Sequence, residues 1–110
     1  MRNVIDWAKT MDAAVCVCDL KGIVTYMNDK GKVDYGSDLT GKEILACHPE
    51  PAKSKFKALL ESGKEDIYSI EKNGIKKVVC HLPIMENGVC SGYAEIVKQL
   101  PGTVPHFVRK

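Results

Sequence analysis

The chain reads as an α+β domain, with two short strands, a helical middle and three closing strands. Three observations predict this order. Residues 13–18 and 23–27 are apolar runs on either side of Asp19-Leu20-Lys21-Gly22, a polar turn whose glycine permits a tight reversal. Residues 50–62 carry Phe56, Leu59 and Leu60 at the i, i+3, i+4 spacing of a one-sided helix, with Gly63 as its stop. Lys72-Asn73-Gly74 and Glu86-Asn87-Gly88 are Asn-Gly hairpin signals, and they divide the last third into strands at 66–71, 76–85 and 89–98.

The remaining elements follow in order. Val4, Ile5, Ala8 and Met11 repeat at helical spacing beside Trp7, so residues 1–12 are expected to hold a short amphipathic helix over 3–11. Residues 28–39 contain two glycines among acidic and amide side chains, which predicts short helical turns and loop. A second short helix is expected over 40–45, before Cys47-His48-Pro49, and Pro51 suits the first turn of the long helix. Residues 13–98 form the core domain, and 99–110, with Pro101, Gly102 and Pro105, read as an extended tail.

Composition narrows the function. At 110 residues the chain is one domain, and its 45% hydrophobic and 27% charged content is that of a globular protein. Sixteen basic against fourteen acidic residues leave a net charge of +2, too small and too scattered for a nucleic-acid partner. No apolar run approaches the ~20 residues that span a bilayer. The first twelve residues hold two Asp and no continuous apolar core, so no signal peptide is predicted and a cytoplasmic location with reduced cysteines is expected.

The candidate chemistry lies in Cys and His. Cys47 and His48 precede a helix whose N-terminus favours a thiolate or an anion, and the His48 imidazole is a possible axial ligand to haem iron. The plainer account makes Cys47 a small buried side chain and His48 part of the helix entry. In the strand over 76–85, period two places Val78, Cys80, Leu82 and Ile84 on one face and Val79, His81 and Pro83 on the other. The first set is more apolar and is expected to face the core, which turns His81 toward an interface. Cys16 and Cys18 share a strand face, but no paired Cys-x-x-Cys accompanies the five cysteines, so no metal site is predicted. The Asp residues at 29, 34 and 38 lack the spacing of a calcium loop. No nucleophile elbow or phosphate-binding glycine loop is present, and the chain is not expected to be an enzyme.

The opening Ala13–Asn28 stretch, AAVCVCDLKGIVTYMN, resembles the first hairpin of the PAS family, as do Leu39-Thr40-Gly41-Lys42 and the Gly92 of the final strand. Leu45-Ala46-Cys47-His48-Pro49 is further similar to a bacterial PAS subgroup with Cys-His-Pro before the long helix. The Gly-Arg-Asn-Cys-Arg-Phe signature of flavin photosensors is missing, which disfavours flavin. The resemblance implies a PAS fold: a five-stranded antiparallel sheet with short helices on one face and an N-terminal helix. It implies a sensory module that binds a small ligand between sheet and helices and signals through a homodimer or a separate signalling protein. The ligand-contacting set it points to is Tyr26, Leu45, Cys47, His48, Phe56, Leu60, Cys80, Leu82 and Ala94. Val4, Ile5, Trp7, Ala8, Met11 and His81 form the expected interface. Two alternatives stand beside it: a ligand-free interaction module, and a thiol redox sensor acting through Cys47 or the Cys16/Cys18 pair.

Overall fold

The computed structural model describes residues 6–110, the Cys47 side chain excepted. Strands β1 (Ala14–Asp19) and β2 (Val24–Met27) are followed by helix α1 (Asp29–Tyr35), a 3₁₀ turn (Ile44–Cys47) and helix α2 (Ala52–Ser62). Strands β3 (Asp66–Lys72), β4 (Ile75–Glu86) and β5 (Val89–Gln99) complete the chain. All five strands form one antiparallel sheet in the order β2-β1-β5-β4-β3, which seats the first and last strands side by side at its centre.

The opening hairpin is held by Asp19, whose Oδ1 accepts from the backbone N–H groups of Lys21 and Ile23 at 2.9 Å each. Asn28, fully buried, then joins four segments. Its Oδ1 accepts from Val15 N (2.9 Å) and caps α1 through Gly31 N (2.8 Å), while its Nδ2 donates to the carbonyls of Ala8 and Ala13 (2.8 Å each). Every hydrogen-bonding position of that amide has a partner, as a buried polar group requires. Cys16, Cys18, Val24, Met27, Leu39, Ile44, Phe56, Leu60 and Tyr93 form the apolar core.

Three expectations about helices change. Among the described residues, Asp6 to Met11 close turns (Lys9 N to Asp6 O, Met11 N to Ala8 O) rather than a helix, and residues 1–5 of the expected helix lie outside the described chain. The short helix expected over 40–45 is displaced to Ile44–Cys47, because Thr40 to Glu43 hydrogen-bond alongside β2 instead: Val24 N donates to Lys42 O and Ile23 bridges Glu43. α2 begins at Ala52, two residues later than expected, with Pro51 at the cap position and the Glu50 carboxylate accepting from Ser54 N.

The face assignment of β4 is also reversed. Val79 and His81 are buried on the helix-covered face, while Cys80, Leu82 and Ile84 lie half-buried on the opposite one. Hydrophobicity ranked the faces wrongly because the inner one carries a histidine that finds its partner on the neighbouring strand. That partner is placed by a bulge. Glu86 pairs with Val89 and Met85 with Cys90, but Ile84 pairs with Gly92, so one extra residue enters β5. From there on His81 stands opposite Glu95 rather than Ala94. Gly92 makes the bulged strand fit, since a Cβ there would sit 2.3 Å from the Cys18 carbonyl oxygen.

Candidate functional site

Between α2 and the β3–β4–β5 end of the sheet lies a cavity of about 450 Å³. α2 and its entry supply His48, Pro51, Ala52, Lys55, Phe56 and Leu59; the sheet supplies Asp66 and Tyr68 from β3, His81 from β4 and Glu95 from β5. The cavity is within the size range of small-molecule sites and mixes apolar walls with a few polar groups.

A hydrogen-bonded chain starts on its floor, at His81 and Glu95, and continues to α1. His81 Nε2 donates to Glu95 Oε2 at 2.7 Å, and the Tyr35 hydroxyl, from the last turn of α1, donates to Glu95 Oε1 at 2.9 Å. The carboxylate therefore links α1, β5 and β4. His81 Nδ1 is buried with no hydrogen-bond partner among the described residues. His48 Nδ1 donates to the Ile44 carbonyl at 2.8 Å, which leaves Nε2 as the ring nitrogen open to another partner. Aromatic contacts connect these groups: His48 stacks on Phe56 with centroids 6.0 Å apart, and Phe56 and Tyr68 tilt against His81 at 5.4 and 5.7 Å.

The electrostatics follow from burial and partners. Burial works to raise the Glu95 carboxyl, but hydrogen bonds from His81 and Tyr35 and the attraction of His81 and His48 outweigh it, leaving the group below the ordinary carboxylate value. Burial and the Glu95 charge push the Tyr35 phenol well up, so it stays a donor. Burial pushes the Cys18 thiol up to about 11, the direction opposite to that of a reactive thiolate.

The sequence-derived candidates separate into groups. His48 and Phe56 line the cavity. Leu60 is buried in the adjoining core and Leu45 packs against it. Tyr26, Cys80, Leu82 and Ala94 stand on the other face of the sheet, where Tyr26 and Ala94 both oppose Val17, and Leu82 opposes Ala94. The Tyr26 hydroxyl there donates to the Asp6 carboxylate. The Cys47 side chain, Val4 and Ile5 fall outside the description. His81, expected at an interface, instead lies 7% exposed on the cavity floor. Trp7 is 74% exposed, and Ala8 and Met11 are half-buried. Sequence reasoning missed Glu95, Tyr35, Tyr68 and Asp66. A lone carboxylate inside the apolar run Tyr93-Ala94-Glu95-Ile96-Val97 was the available signal for Glu95.

Solved structures share this architecture. The PAS domain of histidine kinase ThkA superposes with a TM-score of 0.64 at 14% identity, over 80% of this chain and 99% of that one. A sensory box sensor histidine kinase from Vibrio cholerae gives 0.65 at 17% identity, over 84% of each chain. The photoactive yellow protein domain of the sensor histidine kinase Ppr from Rhodospirillum centenum gives 0.62 at 16%, over 83% of this chain and 88% of that one. The chain has the PAS fold. No family model matches the sequence, and no curated protein does either. Among the described residues no helix is long and apolar enough to cross a membrane.

Proposed function

We propose that this chain is a sensory domain that binds a small ligand in the cavity under α2 and works by binding rather than turnover. The observation that carries the reading is the cavity itself: about 450 Å³ of space beside a hydrogen-bonded chain of buried His81 and half-buried Glu95 and Tyr35. A ligand that bonds to Glu95 or displaces the ring of Phe56 or Tyr68 changes what holds α1 and α2 to the sheet. The two conformers then differ at surfaces that a second copy or a separate signalling protein can distinguish. If the ligand is haem, His48 would hold the iron through Nε2, since Nδ1 is engaged by the Ile44 carbonyl, a common partner for a metal-bound imidazole.

Native mass spectrometry and a UV–visible spectrum of the purified chain test this, with Ala52→Trp as the variant that fills the cavity from an exposed helix position. A bound mass that Ala52→Trp eliminates, with the far-UV circular dichroism unchanged, is the expected result. An apo mass throughout, and no thermal shift from any compound of a small-molecule library, overturns it in favour of a ligand-free interaction module.

A further inference from the structure

The two edges of the sheet are finished differently. β2 is closed by the chain that follows it: Gly41 N donates to Val24 O (2.7 Å), Val24 N to Lys42 O (2.9 Å), and Ile23 bridges Glu43. β3 has no such cover among the described residues: no backbone hydrogen bond outside the β3–β4 ladder reaches Asp66 to Lys72, and all seven residues are exposed. Its register with β4 is unbroken over seven pairs, without the bulges found between β1 and β2 and between β4 and β5. It holds no proline, and Ile67 (52% exposed), Tyr68 and Ile70 leave apolar surface on both faces. A straight, bare edge of this kind is a template for another strand.

We propose that β3 pairs antiparallel with β3 of a second copy of this chain, with the two-fold axis at Ser69. The strand is complementary to itself in that register. Asp66 falls opposite Lys72 of the second copy and Tyr68 opposite Ile70 of the second copy, each twice by symmetry. A two-fold axis normal to the sheet keeps inner faces together, so registers shift only in steps that preserve the face. Moving the axis to Tyr68 stacks Glu65 on Glu71 and Lys64 on Lys72. Moving it to Ile70 carries Asp66 past the strand end and removes its ion pair. Ser69 is the centre at which Asp66 meets Lys72 and Tyr68 meets Ile70, with Ile67 opposite Glu71 as the one unmatched pair.

The pairing reaches the cavity, since Asp66 and Tyr68 line it as well as standing on β3. This coupling rests on the ligand-binding reading; the pairing does not, and it is measured on the chain without added ligand. Sedimentation equilibrium over a concentration series is expected to show a reversible dimer. Lys72→Asp, which sets like charges opposite one another at two places, is expected to weaken it by about tenfold. Asp66→Lys combined with Lys72→Asp restores it, and Ser69→Cys forms an inter-copy disulfide on mild oxidation that wild type and Glu71→Cys do not. A chain that is monomeric at every concentration overturns the proposal. So does a dimer that Lys72→Asp leaves unchanged, whether held by the outer sheet face or by the exposed residues 101–110.

Discussion

The inner face of the sheet has two halves that solve the same problem differently. At the β2–β1 end, Cys16, Cys18, Val24, Met27, Leu39 and Ile44 pack together, and the buried amide of Asn28 meets four backbone groups. At the β4–β3 end the apolar filling stops and a cavity opens, floored by a histidine with one ring nitrogen unpartnered among the described residues. A protein uses full satisfaction where it needs one conformation and tolerates an unsatisfied group where something else is to be bound. The candidate site lies where packing runs out.

The contrast can be broken most severely from the packed side. Asn28→Ala leaves two N–H groups and two carbonyls without their partner, and is expected to cost about 3 kcal/mol of unfolding free energy, read from urea denaturation. A loss as small as that of a surface substitution would mean that water replaces the amide. Tyr93 stands between the halves, almost wholly buried, with its hydroxyl near both the Leu59 carbonyl (2.8 Å) and the Lys64 carbonyl (2.7 Å) at the end of α2. Tyr93→Phe is expected to cost about 1 kcal/mol, with hydrogen exchange quickened in the last turn of α2.

The cavity side is probed more gently, by pH. Folding lowers the Glu95 pKa, so protonation favours the unfolded chain. The stability it contributes is fully present above the unfolded value of about 4.3 and is lost as pH falls through the lower, folded value. Urea midpoints of wild type are therefore expected to fall more steeply over that acid range than those of Glu95→Gln. Parallel profiles would place the acid sensitivity elsewhere.

Much of this was legible in the residues. The Asp19–Gly22 turn, the Phe56/Leu59/Leu60 stripe and the two Asn-Gly hairpins act within a few positions of themselves, so local chemistry specified them. His48 and Phe56, at the entry and on the apolar stripe of the long helix, are legible for the same reason. Glu95 and Tyr35 were not, because they lie 60 residues apart and meet only once α1 is docked on β5. The face of β4 was misread for the same reason: an apolar count cannot tell that His81 has a carboxylate waiting on another strand.

What the sequence by itself determined is the set of strands, turns and the long helix, since each is set by periodicity and by residues with restricted backbones. The tertiary structure decided which face each strand turns inward, and with it the site. The two-residue turn at Asn87-Gly88, carried straight back, would set His81 beside Ala94. One extra residue at the bulge, allowed by Gly92 against the Cys18 carbonyl, sets it beside Glu95. Side chains alternate with a period of two, so a shift of one residue exchanges faces, and only the assembled sheet shows that the shift occurs.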